Sequence, residues 1–231
     1  MEQLVFELQP PEPPSFANFV AGPNREAVAA VAAAAVEGGA DTGVVLWGTP
    51  GAGKTHLLRA AVGAALAAGH GALYVADPGA LLAAVPEQLA THALVAVDDV
   101  DTASTAAQER LFSLFNALRA RRGRLFVAAS SPPAVLALRD DLRSRLGWGL
   151  VYEIRPLSDR DKPAALVGWA RQRGFGLSDD VIGYLLAHGR RDMPSLMATL
   201  AALDRHSLAA KRPITVPLVR DWLQREFGLG S

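Results

Sequence analysis

The stretch Gly48-Thr49-Pro50-Gly51-Ala52-Gly53-Lys54-Thr55 fits the pattern G-x-x-x-x-G-K-[ST] in full. The apolar run Gly43-Val44-Val45-Leu46-Trp47 leads into it and reads as a buried strand. After it, Leu57, Leu58, Ala61, Val62, Ala65 and Leu66 recur at helical spacing. Strand, glycine loop and helix are the context in which this pattern binds phosphate. Glycines let backbone N–H groups turn toward phosphate oxygens without a Cβ in the way, and the helix N-terminus adds partial positive charge. In that geometry Thr49, Pro50, Gly51, Ala52 and Gly53 cradle the phosphates, Lys54 reaches the β- and γ-phosphates, and Thr55 is placed to hold Mg²⁺.

Working outward, the third apolar run, Ala93-Leu94-Val95-Ala96-Val97, ends in Asp98-Asp99. Beside a phosphate loop, an acid at a strand's C-terminal end suits Mg²⁺ held through water (Asp98), and its neighbour suits orientation of an attacking water (Asp99). Two acids there also suit an ordinary polar loop. Ala72 to Asp77 reads as the second strand, with a short helix around Leu81 to Ala84 ended by Pro86. A helix over about 103–121 carries Leu111, Leu114, Phe115 and Leu118 on one face. The basic cluster Arg119, Arg121, Arg122 and Arg124 at its end reads as favourable pairing with the helix dipole plus a solvated surface. Arg124 to Ala129 is the fourth strand, and Ser130 at its end either faces a γ-phosphate or makes a turn with Ser131-Pro132-Pro133. Leu150 to Ile154 is the fifth. Strands alternating with helices predict an α/β domain with a five-stranded parallel sheet.

Upstream, Asn24 is positioned to cap a helix running to Gly38-Gly39, and Phe16 and Phe19 sit three apart just before it. Such a segment packs on the adenine in nucleotide-binding domains, or is plain core. Four prolines between Pro10 and Pro14 rule out a helix there. Gln3-Leu4-Val5-Phe6-Glu7-Leu8 before them is either a frayed end, an edge strand, or a linear docking peptide with Leu4, Phe6 and Leu8 as anchors. After Pro156 the pattern changes to four helical stretches, about 159–173, 179–188, 192–210 and 216–226, with Ser158 to Asp161 as a capping-box start. The organisation expected is therefore a tail (1–13), an α/β nucleotide-binding domain (14–156) and a small all-helical domain (157–231).

Bulk properties narrow the function classes. Over 231 residues, 23 Lys plus Arg balance 23 Asp plus Glu, so the electrostatic footprint of non-specific DNA binding is missing. Cysteine is absent, which excludes disulfides and thiolate metal sites and suits the cytoplasm. Glu2 and Glu7 sit where a secretory leader would be basic and apolar, and the alanine-rich run from Ala27 to Val36 is too short to span a membrane.

The phosphate loop, acid-ended third strand and helical lid resemble an AAA+ ATPase. Phe16-Ala17-Asn18-Phe19-Val20 resembles the F-x-N-F segment of the replication initiator DnaA, Val97-Asp98-Asp99 its paired-Asp Walker B, and Ser144-Arg145-Leu146-Gly147-Trp148-Gly149 its arginine-finger box. Arg191-Asp192-Met193 resembles the lid motif that forms sensor 2. DnaA also has a longer N-terminal domain and a helix-turn-helix domain, for which these residues leave no room. The short form with a Gln-Leu peptide resembles the Hda-type regulators of that family. The resemblance implies ADP or ATP with Mg²⁺ as ligands, with Phe19 and Val20 at the base, Ser130 as sensor 1 and Arg191 as sensor 2. It also implies DnaA as partner and the β sliding clamp of DNA polymerase III as the docking site of Gln3, Leu4, Phe6 and Leu8, hence DNA only indirectly. A homo-oligomer is compatible with it. Arg145 would then act in trans on DnaA-bound ATP; on the residues alone, a salt bridge to Asp141 one helical turn earlier serves as well. Sensor 1 is commonly Asp or Asn in this family, so Ser130 weakens the case for self-hydrolysis. A helicase-loader-type protein, a non-catalytic DnaA-binding adaptor and a free-standing ATPase are the alternatives.

Overall fold

The computed structural model describes residues 13–37, 43–210 and 212–226. The peptide residues Gln3, Leu4, Phe6 and Leu8 lie outside them. The described chain forms two compact units that divide between Pro156 and Leu157.

In the first unit, β1 (Gly43–Trp47), β2 (Ala72–Val75), β3 (Leu94–Val97), β4 (Arg124–Ala129) and β5 (Leu150–Glu153) make one sheet in the order β2-β3-β4-β1-β5. Every pairing is parallel. The inner strands β1, β3 and β4 are nearly continuous apolar runs because both faces are covered, whereas the edge strand β5 is largely exposed, and the period of two sorts side chains between two cores. Val44, Leu46, Leu94, Ala96, Phe126 and Ala128 face α1 (Arg25–Val36) and α2 (Lys54–Ala67). Val45, Val95, Val97, Leu125 and Val127 face α4 (Thr105–Ala120) and α5 (Asp140–Leu146). Between β2 and β3 the chain makes a 3₁₀ turn (Pro78–Ala83) and α3 (Pro86–Leu89). Pro86 therefore opens a helix rather than ending one, which suits a residue without an N–H at the first helical position.

Two long-range pairings depart from the sequence expectation. Asn24 precedes α1 without a side-chain cap bond. Its amide instead donates to Arg155 O (2.9 Å) and its Oδ1 accepts from Arg155 N–H (2.8 Å), tying the start of α1 to the exit of β5. Arg124, expected on a solvated surface, is buried. Its guanidinium donates to Ala34 O in the last turn of α1 and to Ala93 O ahead of β3. Of the two, Ala34 O is a carbonyl that a helix end leaves open, and burial lowers the pKa of Arg124.

The second unit holds α6 (Lys162–Gln172), α7 (Asp179–His188), α8 (Met193–Ala210) and α9 (Val216–Glu226). Leu166, Val181, Ile182, Leu185, Leu196, Leu200, Leu203, Val219 and Leu223 form its own core. The first helix begins at Lys162 rather than near 159, because Ser158 to Asp161 close into a turn: the Ser158 hydroxyl donates to Asp161 Oδ2 (2.6 Å), and the Asp161 and Lys162 N–H groups both donate to Ser158 O. No helix among the described residues is long and apolar enough to cross a membrane.

Candidate functional site

Strand order decides which loop residues meet. β4 lies between β1 and β3, so the C-terminal ends of these three strands are neighbours. β1 carries the glycine loop, β3 Asp98-Asp99 and β4 Ser130. This is the crevice beyond the strand ends where parallel α/β sheets bind ligands.

The loop is built for close backbone approach. Gly48, Gly51 and Gly53 have φ of 149°, 79° and 105°, which disfavours residues with a side chain. A Cβ on Gly48 would lie 2.3 Å from Ile154 O, and one on Gly53 would lie 2.7 Å from the Phe19 ring. Thr49, Pro50, Gly51 and Thr55 are exposed, and Ala52 and Lys54 are buried. Lys54 Nζ donates to Gly48 O (2.7 Å) and Thr49 O (3.2 Å). Burial lowers its pKa, while Asp99, Asp98 and Asp101 pull it back up. A glycine loop, a lysine at the start of α2 and a facing acid pair fit a nucleoside phosphate.

The acids differ sharply from each other. Asp98 is buried; its Oδ2 accepts from the Tyr74 hydroxyl (2.8 Å) and its Oδ1 from Asp99 N–H (3.1 Å). Tyr74 comes from β2, and the Arg59 guanidinium lies 4.7 Å over its ring. Burial raises the Tyr74 pKa. Asp99 faces solvent at φ 48°, a conformation uncommon outside glycine, asparagine and aspartate. Partial burial by the loop walls and then the like charges of Asp98 and Asp101 raise its pKa, against Lys54, which lowers it. Ser130 is exposed, and its N–H donates to Asp101 Oδ1 (3.3 Å), joining the exits of β3 and β4.

The Phe16 to Val20 segment is seated at the loop. Ser15 and Asn18 bond each other's backbone N–H groups. The His56 ring nitrogen Nε2 pairs with Ser15 O (2.9 Å), and its ring lies 5.2 Å from Phe19. Phe19 and Val20 are both half-buried. Tyr74, His56 and Asp101 were not singled out by the sequence. Tyr74 had one signal, its alternating position in β2 beside the acid-ended strand; the other two depend on where separate segments fold together.

Arg145 stands apart from this crevice. It closes α5, ahead of β5, whose first residue Leu150 pairs with Val44 at the opening of β1. Gly149 passes so close to Gly43 that a Cβ would lie 2.0 Å from Gly43 O. The phosphate loop leaves the other end of β1. The alternative salt bridge to Asp141 is not formed: Asp141 is engaged by Arg139, at 3.3 and 3.0 Å. Arg145 Cζ lies 4.0 Å from the Trp148 ring centroid, and its buried Nε has no hydrogen-bond partner. In the helical unit, Arg191 is exposed at the start of α8, 3.6 Å from Asp159 Oδ2.

Comparison with known proteins agrees with the fold and extends it. The family model of the bacterial DnaA ATPase domain matches residues 12–76 and 82–153, and that of the Hda lid domain matches 159–223. Domain III of the Thermotoga maritima replication initiation protein DnaA superposes with a TM-score of 0.83 at 20% identity, over 94% of this chain and 98% of that one. AMPPCP-bound DnaA from Aquifex aeolicus gives 0.69 at 24% identity, over 86% of this chain and 66% of that one. The Thermotoga maritima RuvB Holliday junction branch migration motor gives 0.62 at 17% identity, over 87% and 68%.

Proposed function

The chain belongs to the bacterial DnaA ATPase family of AAA+ proteins and carries an Hda-type lid domain, and on that premise we propose that it is a nucleotide-binding regulator that stimulates hydrolysis of DnaA-bound ATP and so prevents re-initiation of replication. Gln3, Leu4, Phe6 and Leu8 dock it on a β sliding clamp loaded on DNA in the cytoplasm, and the tether raises its concentration near DnaA.

In this role the chain's own loop, Thr49 to Thr55, binds ADP or ATP, with Phe19 and Val20 beside the base. Thr55 and Asp98 would hold Mg²⁺, which supplies charge neutralisation at the β- and γ-phosphates. Asp98 suits that task because Tyr74 O–H and Asp99 N–H fix its orientation while leaving acceptor capacity on both oxygens. Asp99 and Ser130 stand at the γ-phosphate side, and Arg191 is the lid residue that senses the bound nucleotide. Ser130 has a shorter reach than an Asp or Asn, so hydrolysis of the chain's own nucleotide is slow.

The single observation that carries the proposal is the placement of Arg145. It lies at the end of the sheet opposite to its own phosphate loop and pairs with no acid among the described residues. An arginine so placed serves a neighbour's phosphates rather than its own. An arginine supplied in trans is worth about 10³–10⁵ in rate. The test measures turnover of DnaA-bound ATP with clamp-loaded DNA. Arg145→Ala is expected to return it to the unstimulated level while nucleotide binding by the chain persists. Turnover equal to wild type removes Arg145 from the mechanism. Clamp pull-down with Gln3→Ala and Leu4→Ala tests the tether independently; no capture by the wild-type chain favours a helicase-loader or adaptor role.

A further inference from the structure

Four arginines surround α5, and they divide into two kinds. Arg139 pairs with Glu109 and Asp141, and Arg143 with Asp140. Arg119 and Arg145 pair with no carboxylate among the described residues. Both lie in the last turns of their helices, Arg119 in α4 and Arg145 in α5. Both guanidinium groups instead lie over one indole: Arg145 at 4.0 Å and Arg119 at 5.0 Å from the Trp148 ring centroid. Phe112 on α4 adds a second ring at 5.9 Å from Arg145.

This arrangement is unusual in its charge balance. Two cations are brought together, the local acids are committed elsewhere, and the shared neighbour is an aromatic face that attracts a cation without using up its N–H donors. Trp148 is 51% exposed, Arg119 is exposed and Arg145 half-buried, so the cluster lies at the surface. A guanidinium seated on a ring keeps its fork of donors for a planar or tetrahedral anion. Arg145 Nε is buried and unbonded, so an incoming anion meets the terminal nitrogens of its guanidinium.

We propose that Arg119 and Arg145, held on Trp148, form one anion site for the polyphosphate of a nucleotide bound to a neighbouring molecule, with Arg119 as its second cation and Trp148 as the positioning residue. The choice of that anion rests on the proposed role of Arg145; the two-arginine site itself does not.

Two measurements separate these. In the first, the full chain carrying Lys54→Ala, which disables its own phosphate loop, is titrated with inorganic tripolyphosphate while tryptophan emission is followed. A saturable change is expected, and Trp148→Phe should abolish it although Trp47, Trp169 and Trp222 remain. Arg119→Ala and Arg145→Ala should each weaken the affinity about tenfold. No saturable change, or an affinity untouched by Arg119→Ala, overturns the anion site. In the second, stimulated turnover of DnaA-bound ATP is measured. Arg119→Ala should lower the maximal rate about tenfold, Arg119→Lys should restore part of it, and Trp148→Phe should retain more than Trp148→Ala. Stimulation by wild type that Arg119→Ala leaves intact overturns the role of Arg119 and leaves Arg145 standing. Tripolyphosphate binding without any stimulation by wild type keeps the site and removes DnaA-bound ATP as its target.

Discussion

Gly53 shows how one residue meets two independent demands. Its φ of 105° is costly for any L side chain, and the Phe19 ring occupies the place of a Cβ. Gly53→Ala should therefore destabilise the chain by about 1–3 kcal/mol, the usual cost of a strained backbone position. It should also displace Phe19 and weaken nucleotide binding. Urea denaturation and nucleotide titration read the two effects separately; an unchanged midpoint would show that the loop relaxes freely. Asp99 is the opposite case, a residue whose charge works against the fold. Its folded pKa is raised by burial and by Asp98 and Asp101. A carboxyl with a raised folded pKa costs stability where it is ionised, and the cost fades as pH falls through that pKa. Asp99→Asn keeps a residue type that tolerates φ 48° and removes the charge. The expected outcome is a higher Tm than wild type at pH 7, with the difference vanishing on acidification below the ordinary carboxylate range.

At the scale of elements, two devices join segments that are remote in sequence. The Asn24 amide closes two hydrogen bonds on the Arg155 backbone. Asn24→Ala leaves both backbone groups without their partner, at about 1–3 kcal/mol for a buried site. The loss should appear in urea denaturation, with faster amide exchange at the exit of β5. The second device fastens the Phe16 to Val20 segment to α2 through His56. Its pKa is lowered by burial, offset in part by Ser15 O. A histidine with a lowered folded pKa binds fewer protons folded than unfolded. Its contribution is thus whole above pH of about 6.5 and is lost as pH falls below that value. Wild type should lose Tm between pH 7 and pH 5 by more than His56→Gln does; parallel profiles would exclude His56 as the group responsible.

At the scale of the whole molecule, the sequence made the repeating parts visible and the closing contacts invisible. Five apolar runs with turns between them show a parallel sheet, and the glycine loop with Asp98-Asp99 shows its binding edge, because each rests on local pattern. Arg124 looked like one more arginine of a surface cluster. Only the meeting of β4 with α1, some 90 residues apart, reveals it as a buried donor to Ala34 O. The parking of Arg145 on Trp148 was equally hidden, since an acid one turn away is the simpler local partner. Helix existence was legible in the lid but the start of α6 was not, because Ser158 to Asp161 bond among themselves. The same division between local and non-local order predicts how the molecule loses structure. The sheet unit and the helical unit each have their own apolar core. Leu200 is fully buried within the second. Leu200→Ala should remove about 2–5 kcal/mol there, the range for a buried leucine. Hydrogen exchange should then accelerate across α6 to α9 while the amides of β1, β3 and β4 keep their protection, because separate cores open as separate cooperative units. Equal acceleration in the strands would instead mean that the two cores unfold as one.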